Sequence, residues 1–213
     1  MALTALCSAQ TVDQVLARMD KAAPSFHAMS ANVEMVTFTA LLSDKTVETG
    51  TLQMQRLKPG EVRAVLTFTG AETASPWLGF QGKTLRVYYP KLNTYQDLPI
   101  GKDSGALNQY LLLGFGSSGK ELAQSYTIKF AGMEKVAGQD TSKLLLEPKD
   151  PNVKQKLQKV MMWIPNDGAN PVQQQFDQPS GNYRKLTYTG IVVNPKIKGT
   201  LELKLPSRAR KEG

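Results

Sequence analysis

The run Gly114-Phe-Gly-Ser-Ser-Gly-Lys120 fits two phosphate-binding patterns at once, G-x-G-x-x-G and most of G-x-x-x-x-G-K-[ST]. Such a loop cradles phosphate only between a strand and a helix, and it needs Ser or Thr after the Lys to reach magnesium. Glu121 takes that last position and would set a carboxylate against phosphate. No βαβ unit surrounds the run. A glycine-rich turn between two short helices explains the same residues. His27 is the only histidine, so a triad or a histidine-ligated metal site would depend on it alone. Cys7 is the only cysteine, and it lies in a segment expected to be removed or unstructured. Asp and Glu could in principle pair for glycoside chemistry, but no spacing in the chain pairs them. The inventory therefore predicts no catalytic residue, no metal and no cofactor; the chain reads as a non-enzyme.

The elements around these residues are mostly strands. From Ala31 to about Leu98, and again from Tyr126 to Leu205, apolar residues recur at alternate positions, the period of a half-buried strand. Val62, Ala64, Leu66 and Phe68 alternate with Glu61, Arg63, Val65 and Thr67 most sharply. Lys58-Pro59-Gly60, Gln81-Gly82-Lys83, Asn166-Asp167-Gly168 and Pro179-Ser180-Gly181 supply turns. Thr11 to about Ala23 reads as a helix capped by Thr11, with Val12, Val15, Leu16 and Met19 at helical spacing. A second period change spans Ser104 to Tyr126, where Leu107, Tyr110, Leu111, Leu112 and Phe115 form one apolar interruption. Trp163 and Met161 share a strand face opposite Val160, Met162 and Ile164; either face could be the core.

The fold class predicted is mainly β (α+β): an incomplete, strongly curved antiparallel β-barrel with short helices over a hydrophobic cavity. Its length of 213 residues suits one such domain. The divisions expected are residues 1–10 as the remnant of an export signal, 11–206 as the domain, and 207–213 as a basic disordered tail. Met1-Ala-Leu-Thr-Ala-Leu-Cys-Ser-Ala-Gln10 is apolar and small like the end of a secretory signal. No stretch of about 18 apolar residues suggests a membrane-spanning helix. A single cysteine excludes an internal disulfide without excluding the periplasm. Lys and Arg number 26 against 18 Asp and Glu, a net charge of +8 that favours anionic partners. The charge is dispersed and no nucleic-acid motif accompanies it, so nucleic acid is not an expected partner.

Several segments, in order, resemble the periplasmic lipoprotein carrier family, LolA and its relatives. They are Gly50-Thr-Leu-Gln-Met-Gln-Arg-Leu-Lys-Pro59, Gly82-Lys-Thr-Leu-Arg-Val-Tyr-Tyr-Pro90, Asn108–Phe115, and Lys159-Val-Met-Met-Trp-Ile-Pro-Asn-Asp-Gly168 running on to Pro171-Val172 and Tyr183. The resemblance covers about Val12 to Leu205. It implies a cavity that shelters the acyl chains of a lipoprotein in transit across the periplasm to the outer membrane. It implies a monomer with an acylated lipoprotein or lipid as ligand, and an inner-membrane transporter and an outer-membrane acceptor as partners. Val33, Met35, Leu52, Met54, Leu66, Phe68 and Phe80 are the expected cavity residues, with Leu111, Leu112 and Phe115 as a lid hinged on Gly101, Gly105, Gly114, Gly116 and Gly119. The basic residue before the Pro, Arg in many carriers, is Lys58 here and is the expected lid and transfer residue. Two alternatives remain open: a lipid-sensing or interaction module of envelope signalling with the same fold, and a membrane-anchored acceptor lipidated at Cys7.

Overall fold

The structure, a computed structural model, describes residues 11–58, 61–69, 75–99 and 113–212. The signal-like start, the helix expected from Ser104, and Leu107, Tyr110, Leu111 and Leu112 lie outside the described residues, as do Gly101 and Gly105.

Alternation in two blocks becomes two meanders. The first contains β1 (Ala28–Thr39), β2 (Asp44–Lys58), β3 (Glu61–Phe68), β4 (Trp77–Gln81), β5 (Thr84–Tyr89) and β6 (Thr94–Pro99). The second contains β7 (Tyr126–Val136), β8 (Gln139–Pro148), β9 (Lys159–Pro165), β10 (Gln173–Asp177) and β11 (Tyr183–Val193). They join where β11 pairs antiparallel with β1, Val33 opposite Tyr188 and Met35 opposite Leu186. With β12 (Arg210–Lys211) the sheet is ordered β12-β6-β5-β4-β3-β2-β1-β11-β10-β9-β8-β7. It is open, with β12 and β7 at its edges, rather than closed on itself. All pairings are antiparallel except that of β12 with β6.

Among the described residues, three short α-helices accompany the sheet. In α1 (Val12–Ala22), Thr11 forms the expected cap: its Oγ1 accepts from the Gln14 amide, and the Gln14 side chain accepts from the Thr11 amide. Val15 and Met19 of α1 are buried with Leu122, Leu144, Val160, Met162 and Ile164 in a core under the second meander. In α2 (Gly119–Ser125), Ser118 and Glu121 cap each other's backbone amides. The third, α3 (Pro151–Lys154), starts at Pro151 with Asp150 as its cap.

A larger core lies on the inner face of the first meander, around Met29, Val33, Met35, Leu52, Met54, Leu66, Phe68 and Phe80. The outer face is also covered, which the sequence pattern does not anticipate. The expected strand Thr200–Leu205 makes no ladder. It lies flat on β3–β5, with Leu201 and Leu203 packed on Val65 and Tyr88. Gly79 admits it, since a Cβ there would run into Leu203. Gln55 holds it by accepting from the Leu201 amide (2.8 Å) and donating to the Gly199 carbonyl (3.1 Å).

The tail expected to be disordered is instead β12. Lys211 reaches Asp97 at 3.5 Å, Asn93 donates to the Arg208 carbonyl, and Glu212 accepts from Gln96. Asp97 already accepts both arms of Arg86, which holds its carboxyl below the usual carboxylate range. The basic tail is thus drawn to an anionic edge. Trp163 packs in a small second layer with Val136 and Val172, its indole N–H donating to Glu134 (2.9 Å), so both faces of β9 are covered.

Candidate functional site

Parity along β2 and β3 decides what faces inward. Leu52, Met54 and Arg56 share one side of β2; Val62, Ala64, Leu66 and Phe68 share the facing side of β3. Two clefts open on this side. One holds Leu52, Leu66 and Phe68; the other holds Arg56, Lys58 and Val62. Leu66 and Val62 are four residues, about 13 Å, apart on one strand.

The first cleft has a volume of about 400 Å³. Met35, Leu52, Leu66, Phe68 and Phe80 line it, together with Leu78, Leu85, Phe176, Leu186 and Leu157. Five of the expected cavity residues therefore converge. Val33 and Met54 do not line it; both are buried in the core alongside. Ser75, Gln178, Arg184 and Lys156 add polar groups to the wall. Among the described residues, no carboxylate, histidine or cysteine lines this cleft.

The second cleft is larger, about 890 Å³, and more polar than the first. Its groups are engaged with one another. The Arg56 guanidinium donates to the carbonyls of Ala23 (3.1 Å), Phe26 (3.4 Å) and Gly116, and its plane lies 5.4 Å from the Phe26 ring centroid. Asp20 accepts from the Lys120 amide at 3.1 Å, joining α1 to α2. Glu121 is committed to its cap. A forked, planar cation suits three carbonyls as an ammonium does not. Arg56 therefore fastens Ala23, Phe26 and Gly116 to the sheet. Among the described residues Lys58, 72% exposed, pairs with Glu61 at 3.3 Å; it follows a register shift after Arg56 and lines the same cleft. Parity with Leu52 and Met54 was the signal that could have identified Arg56.

The glycines of the glycine-rich run are closely packed. Gly116 has φ +64° and sits against the Phe26 ring; a Cβ at Gly119 would lie 2.6 Å from Leu16; Gly114 has φ +83° beside Met162. These glycines, expected as hinges, allow close approach instead.

Phe115, expected in the lid, forms the wall between the clefts. It lines the polar cleft and stands edge-on to Tyr188, centroids 5.0 Å apart, while Tyr188 lines the apolar one. The Tyr188 hydroxyl donates to Gln174 (2.6 Å), whose amide donates to the Leu113 carbonyl (2.6 Å). Burial raises the Tyr188 phenol well above its ordinary value. A satisfied buried network of this kind fixes the segment Leu113–Phe115 to the sheet. His27 is exposed and lines only the polar cleft. Among the described residues, no three His, Cys, Asp or Glu side chains group as a metal site would require.

No family model and no curated protein matches this chain. Solved structures do. An uncharacterized conserved protein from Thermus thermophilus matches at a TM-score of 0.54 and 12% identity, covering 95% of this chain and 99% of that one. MucB matches at 0.53 and 14% identity, covering 91% of this chain and 64% of MucB. An outer membrane lipoprotein-sorting protein domain from Vibrio parahaemolyticus matches at 0.46 and 14% identity, over 88% and 94% of the two chains. At these identities the likeness is one of fold. The chain has a fold similar to those of MucB and of the Thermus thermophilus protein.

Proposed function

We propose that this chain is a non-catalytic, exported binding protein that shelters an acyl chain in the cleft formed by Met35, Leu52, Leu66, Phe68 and Phe80. The observation that carries this reading is the convergence of those apolar side chains on one open cleft. Pockets for small molecules occupy about 300–1,000 Å³ and are mostly apolar, and this cleft falls at the lower end. Each methylene moved from water into it contributes about 0.8 kcal/mol, so a partly sheltered chain gains several kcal/mol. Val33 and Met54 support the lining from behind. The cargo is the acyl portion of a lipoprotein or a related lipid, passed from an inner-membrane transporter to an outer-membrane acceptor. Among the described residues no helix is long and apolar enough to cross a membrane.

The test is native mass spectrometry of protein recovered from a bacterial periplasm, followed by lipid extraction. Co-purified lipid or lipoprotein, lost on Leu66→Asp, is the expected result. An apo mass that takes up no added acylated peptide or lipid would overturn it. The fold shared with MucB supports a second reading, an interaction module of envelope signalling; MucB has been solved in complex with MucA. An apo protein that instead binds a periplasmic protein segment with defined stoichiometry would favour that reading.

A further inference from the structure

The inner face of β11 changes character along its length. Arg184, Leu186 and Tyr188 are alternate residues on one side of the strand, and all three line the apolar cleft. Tyr188 and Leu186 are buried, whereas Arg184 is exposed. A cation thus stands at the mouth and the aromatic partition at the inner end, about 13 Å away. Lys156 stands at the same cleft, one residue before the buried Leu157.

Neither cation is engaged. Among the described residues, Arg86, Lys129, Lys143 and Lys159 each have a carboxylate partner, while the side chains of Arg184 and Lys156 have none. The acids nearby are already committed. Asp177 pairs with Lys159 at 3.6 Å and accepts from Gln175, and Glu48 accepts from the amide and hydroxyl of Ser75. Two unpaired cations over an apolar cleft form the complement of an amphiphile with a negative head. The guanidinium suits a planar carboxylate or a phosphate through paired N–H donors.

Resting on the acyl-binding reading above, we propose that the ligand is an anionic single-chain amphiphile, its alkyl chain among Leu66, Phe80 and Leu186 and its carboxylate or phosphate head held by Arg184 and Lys156. A cleft of about 400 Å³ suits one chain better than several.

The test is equilibrium binding of palmitoyl lysophosphatidylglycerol, palmitoyl lysophosphatidylcholine and monopalmitoylglycerol, below their micelle concentrations. It compares the parent protein with Arg184→Gln/Lys156→Gln. Both positions are exposed, and circular dichroism checks that the double variant folds. The expected result is roughly tenfold tighter binding of the anionic lipid than of the neutral one, the scale of a charge-assisted contact. That preference should vanish in the double variant, and inorganic phosphate alone should neither bind nor compete. Equal binding of all three lipids overturns the head-group assignment and leaves the acyl-binding reading standing. Competition by inorganic phosphate, lost in the double variant, shows a free-anion site and overturns the amphiphile. Failure of all three lipids to bind overturns both.

Discussion

The apolar cleft at Leu66 and the polar cleft at Arg56 share one face of one sheet and one partition, Phe115 against Tyr188. The polar cleft has about 890 Å³ and the apolar one about 400 Å³, yet the larger is the less available. Arg56, Asp20 and Glu121 direct their hydrogen bonds to backbone groups of the chain itself. A ligand entering there would have to displace contacts that fasten α1, α2 and the Leu113–Phe115 segment. In the apolar cleft the walls are mostly aliphatic and aromatic side chains, and among the described residues the two cations at the mouth have no carboxylate partner. Cavity size alone therefore misidentifies the site; whether its polar groups are already satisfied is the better guide.

Perturbing each cleft separately sharpens this contrast. The largest effect is expected for Leu66→Asp. An unpaired carboxylate on a residue only 5% exposed should abolish lipid uptake and cost several kcal/mol of stability by urea unfolding, on the order of 3–5. Arg63→Gln, on the opposite face of the same strand, should leave uptake unchanged. Equal loss of uptake from both would refute the assignment of faces.

Next in size is the polar cleft. Gly116→Ala combines a positive φ with a collision against Phe26 and should cost about 2–3 kcal/mol. Arg56→Lys, which retains the charge but loses the fork, should cost about 1–3 kcal/mol through unsatisfied carbonyls. If the two clefts are independent, both variants retain lipid affinity at temperatures where they remain folded. A parallel loss of affinity would show that the partition transmits strain.

Tyr188→Phe acts on the partition itself. It removes the donor to Gln174 and should cost about 1–2 kcal/mol. It also carries a pH signature. Burial raises the phenol above its unfolded value of about 10, so the folded state keeps the proton longer. That contribution is fully present below pH ~10 and is lost as pH rises above it. The alkaline loss of stability in the parent should therefore be reduced in the variant, measured by unfolding between pH 8 and 11. The smallest effect is expected at Lys58→Met, since an exposed ion pair contributes about 0–1 kcal/mol.

What could be read in advance follows from the same physics. Alternation placed β2 and β3 and gave their faces, because one side is buried and a one-residue slip would reverse every side chain. The convergence of Met35, Leu52 and Phe80 depends on that parity. The register shift before Lys58 could not be read, because a bulge changes parity with no distinctive residue type. β12 has no apolar alternation at all; an anionic partner on β6, remote in sequence, draws it into the sheet. The glycines of the Gly114–Gly119 run were visible as special. Their reason lies in Phe26, Leu16 and Met162, which only the tertiary structure brings near.

The junction of the two meanders has a kinetic consequence. Met29 pairs with Val193, and β1 has no second neighbour until β11 exists. The loop that must close spans most of the chain, and closing long loops before any contact rewards them slows folding. Until then, the edge of β1 and the apolar inner face of the first meander stay open to other chains. The apolar face that the finished sheet buries must, while the chain is being made, be covered by something else.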